Sequence, residues 1–232
     1  MNLFYAPDIP PPFHHFDREE SGHIVRVLRL REGDQIHLTD GKGSLYLGDI
    51  VAADPKGCEV ALHPPVLMDH IPPPLHIAIA PNKNINRFEW LLEKSSEIGI
   101  DVITPLICAR SERSEVKPER LQKVLIAAMK QSLQTWLPEL HGPATFSEMI
   151  KKPFPGQKYI AYCETGEETL LKRTLQPGIP ALILIGPEGD FSPREVTLAV
   201  SEGFLPVSLG PSRLRTETAG VVACVMVKTL IQ

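Results

Sequence analysis

The chain has 232 residues, 43% of them hydrophobic and 22% charged, which is the composition of an ordinary globular protein with one or two domains. The formal net charge of −4 excludes a surface that is basic throughout, so a nucleic-acid site has to be a local patch. No run approaches the ~20 apolar residues of a membrane span, and the first eight residues lack the features of a secretory signal, so we expect a cytoplasmic location without membrane attachment.

Residues 1–68 are predicted to form a small β-barrel. Segments 34–39, 44–51 and 58–62 have the pattern of short strands, and turns rich in Gly, Asp and Pro separate them. Segment 23–31, if helical, places Arg26 and Arg29 on one face and turns its apolar residues toward the barrel. Such a stripe can hold a nucleic-acid backbone, although a solvated helix face is the commoner explanation.

The remainder of the chain alternates between strands and helices. The stretch 63–74 is rich in proline and typical of a stiff linker, and we place the domain boundary at residues 69–74. After it, strands are predicted at 75–80, 102–108, 158–163, 181–185 and 205–209, and helices at 87–98, 118–133, 167–175, 193–202 and from there to the carboxyl terminus. This order predicts an α/β domain at 75–232, with helices on both faces of a mainly parallel sheet.

Two loops between a strand and a helix carry most of the functional information. The first, Gly186 to Ser192, follows the buried strand 181–185, and Ser192 is a predicted N-cap with Pro193 at the first helical position and Glu195 completing a capping box. The second loop follows the strand 205–209. In an open α/β sheet such loops lie at the carboxyl ends of the strands, where ligands bind, so an enzyme is favoured over a scaffold.

Common catalytic motifs are absent from the sequence. It contains no G-x-G-x-x-G, no P-loop, no G-x-S-x-G and no H-E-x-x-H, which removes the main support for dinucleotide, NTP, hydrolase and zinc-protease chemistry. The four cysteines form no C-x-x-C pair and the histidines show no metal-ligand spacing. We therefore expect reduced thiols and no metal site.

Each residue type in the two loops allows a functional and a structural interpretation. Gly186 and Gly189 would let a ligand approach the backbone, or they serve the geometry of the turn itself. Glu188 and its neighbour Asp190 would contact a ribose or a cationic group, or they are solvated acids near a helix start. The arginines of the second loop suit a phosphate or an anionic base, or they form ion pairs with nearby glutamates.

Taken together, motifs spread over nearly the whole chain resemble the ribosomal RNA small subunit methyltransferase E family, of the SPOUT class. Each motif is weak alone, but their order and spacing are specific. They are His23 with Val27-Leu28-Arg29-Leu30-Arg31-Glu32-Gly33-Asp34, Thr39-Asp40-Gly41-Lys42-Gly43, Lys83 with Glu89-Trp90-Leu91-Leu92-Glu93-Lys94 and Glu97-Ile98-Gly99, Lys130-Gln131-Ser132 with Leu137-Pro138, Ile185-Gly186-Pro187-Glu188-Gly189-Asp190-Phe191-Ser192, and Leu209-Gly210 through Arg215-Thr216-Glu217-Thr218-Ala219.

The resemblance implies a fold, a reaction and partners. The implied fold is a PUA-like β-barrel followed by a SPOUT-type α/β domain with a carboxyl-terminal trefoil knot. The implied reaction moves a methyl group from S-adenosylmethionine to N3 of a uridine in 16S rRNA, without a metal, in a homodimer and within the small ribosomal subunit. The alternatives are a SPOUT methyltransferase of another rRNA or tRNA base, and a non-catalytic RNA-binding assembly factor.

The candidate site residues fall into three groups. Arg215 and Glu188 are the candidate catalytic residues. Residues expected at the methyl-donor site are Leu184, Gly186, Glu188, Gly189, Ser208, Leu209, Gly210, Leu214 and Thr216. Residues expected to contact RNA are His23, Arg26, Arg29, Arg31, Lys42, Lys83 and Arg213.

Three departures from the family pattern accompany this assignment. Many members have a second glycine at the position of Asp190, and the arginine that usually precedes the second loop's Leu-Arg pair is displaced to Arg213. An acidic residue and an arginine common around the Gln-Ser motif are Ala127 and Gln134 here. Finally, the last helix is apolar nearly all round, which predicts that it forms the homodimer interface.

Overall fold

The computed structural model describes residues 2–70, 73–165 and 169–231. The chain divides into two compact units, Met1–His70 with Met129–Leu137, and Ile71–Ala128 with Pro138–Gln232. The segment Met129–Leu137 thus belongs to the first unit, although it begins within the helix Pro118–Gln131, whose earlier residues belong to the second. The predicted boundary at residues 69–74 treats each unit as one continuous segment, so it leaves out the later segment that belongs to the first unit.

The first unit is a curled sheet of short strands around its own core. The strand order is β1-β3-β4-β5-β2, with β6 paired to β4, and β1 alone pairs in parallel, with β3. The predicted β3, β4 and β5 are confirmed to within one residue. The bounds are β1 Leu3–Tyr5, β2 Phe13–His15, α1 Arg18–Gly22, β3 Gln35–Thr39, β4 Ser44–Ala52, β5 Glu59–Leu62 and β6 Val66–Leu67.

The predicted helix at 23–31 is wrong in its extent. A single π-helical turn, His23–Val27, continues α1, and Arg29 then adopts the left-handed conformation with φ 57°. Arg26 and Arg29 therefore do not share a helix face. Ile24 is fully buried in the core of the unit, whereas Val27 is 65% exposed, so only part of the apolar side faces the sheet as expected.

The second unit is a parallel sheet with helices packed against it, as predicted. The strand order is β10-β8-β7-β12-β11-β13, with β9 paired to β8, and every pairing is parallel. The bounds are β7 Leu75–Ile79, α2 Ile85–Ile98, β8 Val102–Ile107, α3 Pro118–Gln131, β9 Glu139–Leu140, β10 Ala144–Thr145, α4 Phe146–Lys151, β11 Gln157–Ala161, α5 Leu171–Thr174, β12 Ala181–Ile185, α6 Pro193–Ser201, β13 Leu205–Val207 and α7 Thr216–Ile231.

Sheet register brings three strand ends to one place. Ala161, the last residue of β11, lies opposite Ile185 of β12 on one side and Val207 of β13 on the other. The loops after these three strands therefore start side by side at the carboxyl edge of the sheet. This edge is where the sequence predicts the site.

Helix α6 begins as the sequence predicts. Ser192 is the N-cap, and its hydroxyl accepts from the backbone amide of Glu195 over 3.3 Å, while the Glu195 carboxylate accepts from the Ser192 amide over 2.8 Å. Glu195 also accepts from the amide of Ala109 over 2.9 Å, which ties the loop after β8 to this helix. Of the predicted helix 167–175, residues 167 and 168 lie outside the described residues, and Leu171–Thr174 forms the α-helix α5.

Candidate active site

A cavity of about 730 Å³ lies at the carboxyl edge of the second unit's sheet. The loops after β11, β12 and β13 form its walls. Residues from these walls that the sequence assigned to a site are Gly186, Glu188, Gly189, Ser208, Leu209, Gly210, Arg213, Leu214, Arg215 and Thr216. The structure thus brings nearly all second-unit candidates into one cavity.

Leu184 is the donor-site candidate that lies elsewhere. It is fully buried in the hydrophobic core with Leu182 and Phe191, and it does not line the cavity. Its neighbour Ile185, at the end of β12, lines the cavity instead. Successive side chains of a strand point to opposite faces, so only one of the two can reach the site.

Gly186 is tightly packed within its own loop. A Cβ atom added there would lie 3.1 Å from both the ring and the amide nitrogen of Phe191, which is fully buried. A side chain at this position would therefore force the buried Phe191 to shift. At Gly189 an added Cβ would make only ordinary contact, 3.5 Å from Cδ of Arg110, so the turn does not require that glycine for space.

The loop after β13 has its own internal geometry. The Ser208 hydroxyl donates to the carbonyl of Gly210 over 3.1 Å and accepts from its amide over 3.2 Å. Gly210 has φ 142°, a conformation that side chains rarely adopt, and nothing crowds its Cα. The main chain of this loop is therefore shaped by a glycine and a serine hydroxyl.

Glu188 is an exposed cavity residue whose carboxylate is held at one oxygen. Its Oε1 accepts from Nδ2 of Asn82 over 3.2 Å and from the amide of Lys83 over 3.3 Å. The same Asn82 nitrogen donates to Oε2 of Glu217 over 3.0 Å. Asn82 is fully buried, so it links the loop after β7 to the first turn of α7 as well as to Glu188.

The two arginines of the second loop are exposed and available to an anion. Among the residues that the structure describes, neither Arg213 nor Arg215 forms an ion pair. Glu217 instead approaches Arg87, with 3.8 Å between Oε1 and Nε, and Glu188 binds Asn82 and Lys83. The ion pairs considered from the sequence are therefore not formed.

Two arginines that the sequence analysis missed support the site from the loop after β8. Arg110 lines the cavity and its Nη1 donates to the carbonyl of Gly189 over 2.8 Å. Arg113 donates from Nε to the carbonyl of Asn82 over 3.1 Å and from Nη2 to that of Lys83 over 2.8 Å. No motif marks this loop, and its one usable signal is a pair of arginines directly after a parallel strand.

The other RNA candidates have exposed side chains. In the first unit these are His23, Arg26, Arg29, Arg31 and Lys42, and Arg29 and Arg31 share a shallow depression with Leu30 and Glu32. In the second unit, Lys83 points its ammonium at Glu112 over 2.7 Å, which offsets part of its charge.

The described residues hold no group of three or more His, Cys, Asp or Glu side chains that could bind a metal. Their helices include none that is long and apolar enough to cross a membrane. The four cysteines are free thiols, and Cys163 alone is exposed, in the cavity wall. Burial and the neighbouring Asp190 raise the pKa of this thiol.

Comparison with known proteins gives a consistent result. An RNA methyltransferase domain model matches residues 70–228, and an RNA methyltransferase PUA domain model matches residues 16–62. The ribosomal RNA small subunit methyltransferase E of Synechocystis is 32% identical over 219 residues, covering 90% of this chain and 71% of the relative.

Two solved structures share the whole fold. A probable rRNA methyltransferase from Porphyromonas gingivalis is 44% identical with a TM-score of 0.91, covering 99% of this chain and 98% of that one. The small subunit methyltransferase E of Neisseria gonorrhoeae, solved with S-adenosyl methionine, is 26% identical with a TM-score of 0.88, covering 100% and 98%. The fold, the two matched domain models and these relatives show that the chain belongs to the ribosomal RNA small subunit methyltransferase E family.

Proposed function

We propose that this protein transfers a methyl group from S-adenosylmethionine to N3 of a specific uridine in 16S rRNA. The observation that carries the proposal is the single cavity in which the glycine-bearing loops after β12 and β13 meet the exposed Arg213 and Arg215. In this proposal, the small cationic donor and the anionic acceptor bind in the same cavity.

The residues of the cavity fit the donor. Its volume of about 730 Å³ falls within the ~300–1,000 Å³ of small-molecule sites. Gly189 and Gly210 expose main-chain groups, while the half-buried Leu209 and Leu214 offer apolar surface. When bound, S-adenosylmethionine supplies a methyl group on a positively charged sulfur.

Arg215 acts on the charge that develops in the acceptor. Neutral uridine carries a proton on N3, and its loss leaves a negative charge spread over the base. An exposed guanidinium without an ion-pair partner among the described residues is already in place to stabilise that charge. Arg213, beside it in the cavity wall, binds the same base or its phosphate.

Glu188 accepts the N3 proton. Its Oε1 is fixed by donors from Asn82 and Lys83, which orients the carboxylate in the cavity wall. A base held in one orientation loses little freedom when the substrate arrives, and alignment of the reacting atoms supplies much of the rate.

The two parts of the chain divide the work. Residues 1–68 hold the RNA through the exposed side chains of His23, Arg26, Arg29, Arg31 and Lys42, residues 69–74 connect the domains, and residues 75–232 bind the donor and catalyse transfer. The small ribosomal subunit, in the cytoplasm, is the site of the reaction. Lys83, near the donor loop, extends the RNA contact into the second domain.

We also propose the knot and the homodimer that the family resemblance implies. The final helix α7 follows β13 at the edge of the sheet yet packs against α2, β7 and β12, so the chain crosses back over the sheet as a trefoil knot requires. On α7, Val225 and Leu230 are each 41% exposed, and a second subunit would cover them. Light scattering that shows an active monomer at micromolar concentration would contradict the dimer.

The test is mass spectrometry of nucleosides from the 16S rRNA of a strain in which the gene is deleted. We expect loss of a 3-methyluridine and its return when the gene is restored. Loss of a different methylated base, in rRNA or tRNA, would indicate another SPOUT specificity. An unchanged nucleoside profile together with no S-adenosylmethionine binding would indicate a non-catalytic assembly factor.

A further inference from the structure

Asp190 adopts a backbone conformation that ordinarily belongs to glycine. Its φ is 60°, in the left-handed region, and it ends the turn in which its amide donates to the carbonyl of Pro187 over 2.9 Å. A residue with a Cβ pays roughly 1 kcal/mol for this conformation. Asp is among the few that tolerate it, because its short side chain can bond locally, and here Oδ1 accepts from the amide of Phe191 over 2.8 Å.

The second carboxylate oxygen reaches across the cavity wall. Oδ2 of Asp190 accepts from the amide of Cys163 over 3.2 Å, although 27 residues separate the two in sequence. Both residues line the cavity, one in the loop after β12 and the other in the loop after β11. A single side chain therefore joins two of the three walls.

Hydrogen bonds also hold both ends of the segment 162–165, the described start of the loop after β11. Thr165 donates from its hydroxyl to the carbonyl of Tyr162 over 2.7 Å, and this bond is internal to the loop. Tyr162 is tied back to the sheet, its amide donating to the carbonyl of Val207 over 3.0 Å. Between these points, the bond to Asp190 fixes the exposed Cys163.

We propose that Asp190 is a positioning residue that holds the wall formed by residues 162–165 against the donor loop. It thereby shapes the cavity before a ligand arrives, which lowers the ordering cost of binding. The property that matters is the hydrogen-bond acceptor at Oδ2, rather than the negative charge. This inference rests on the proposed function, because it takes S-adenosylmethionine as the ligand of the cavity.

One substitution removes the acceptor without straining the turn. Asp190→Gly fits the backbone conformation at least as well but has no oxygen to accept from Cys163, and it is expected to fold. Asp190→Asn is not a neutral substitute, because its single amide oxygen cannot accept from both Phe191 and Cys163.

Titration calorimetry with S-adenosylmethionine is the first readout. We expect the Gly variant to bind about fivefold more weakly than the unmodified protein, as for one lost hydrogen bond, at low and at high salt alike. A loss of affinity that disappears at high salt would assign the effect to the charge, which salt screens, and overturn the proposal. Unchanged affinity would overturn it as well.

Hydrogen exchange at the Cys163 amide is the second readout and needs no ligand. We expect protection in the unmodified protein and its loss in the Gly variant. If the Gly variant keeps full protection, the positioning role is wrong whatever the ligand. If the unmodified protein fails to bind S-adenosylmethionine while the exchange pattern is as expected, the proposed function fails and the link between the two loops stands.

Discussion

The hydroxyl of Thr216 donates a hydrogen bond to the main-chain carbonyl of Gly186 over 3.2 Å. One residue opens α7 and the other follows β12, so the bond joins the two strand-to-helix loops that carry the candidate site. Both residues are buried and both line the cavity. The two segments that the sequence singled out are therefore in direct contact where they line the cavity.

Thr216→Val is expected to weaken both the fold and the site. Valine keeps the shape but leaves the buried carbonyl of Gly186 without this donor, which costs about 1–3 kcal/mol. Urea unfolding should show that loss, and calorimetry a weaker affinity for S-adenosylmethionine. Thr216→Ser, which keeps the hydroxyl, is the matched control, and a Val variant as stable as the Ser variant would contradict the account.

Substitutions at Gly186 and Gly189 are expected to differ. Gly186→Ala forces a Cβ to 3.1 Å from Phe191, and such overpacking costs typically ~1–3 kcal/mol in unfolding free energy. Gly189→Ala meets only ordinary contacts, so it should leave stability unchanged and weaken donor binding by covering main-chain groups. Thermal unfolding and calorimetry on both variants measure the contrast. Unchanged donor affinity in the Gly189 variant would remove that residue from the site.

Arg215→Ala is expected to slow methyl transfer while leaving the fold intact. The side chain is exposed, so its truncation opens no core cavity. Loss of one preorganised charge stabiliser costs on the order of 10²-fold in rate. Single-turnover methylation with saturating donor measures this directly. A rate near that of the unmodified enzyme would exclude the proposed role.

Alanine at Arg26, Arg29 and Arg31 together is expected to weaken RNA binding without changing donor affinity. If the three arginines contact phosphates, the slope of log affinity against log salt should fall by about two units. The control is a variant with alanine at three exposed lysines of the second unit, Lys117, Lys123 and Lys151. Equal salt slopes in the two variants would mean that the arginines form only a solvated surface.

Acid is expected to destabilise the fold through His76. Burial, and the nearby charges of His141 and Lys152, lower the pKa of His76 to about 4 from its ordinary 6.5. The unfolded chain therefore binds this proton first, so unfolding becomes easier as pH falls from about 6.5 to 4, by up to roughly 3 kcal/mol. The free energy of unfolding, measured with urea at several pH values in this range, should fall less steeply with decreasing pH in His76→Gln than in the unmodified protein. The same pH dependence in both proteins would show that His76 is not responsible.

Much of the site was predictable because it depends on local sequence. The N-cap, proline and capping glutamate at Ser192, Pro193 and Glu195 form a local pattern that fixes where α6 begins, and the structure has all three in place. Likewise, the buried apolar run at Ala181–Ile185 is typical of a central parallel strand, and β12 is one. Loops that follow such strands are brought together by parallel pairing alone.

The rest depends on contacts between distant residues. Asn82 is bonded to side chains 106 and 135 positions away, and Arg110 to a carbonyl 79 positions away, and no local pattern marks either. Arg29 looked helical by spacing, but its left-handed backbone ends the turn after Val27. The sequence allows Gly186 to serve either a ligand or the geometry of the turn. Its role in the turn becomes evident only from the packing of Phe191 against it.

The most direct test of the central claim is methylation of the small ribosomal subunit by the purified protein. Subunits from a strain lacking the gene are incubated with S-adenosylmethionine carrying a labelled methyl group, and the 16S rRNA is digested to nucleosides for mass spectrometry. We expect the label to appear as 3-methyluridine, at close to one per 16S rRNA. Label on another base or another uridine position, or no label with a folded protein, would contradict the central claim.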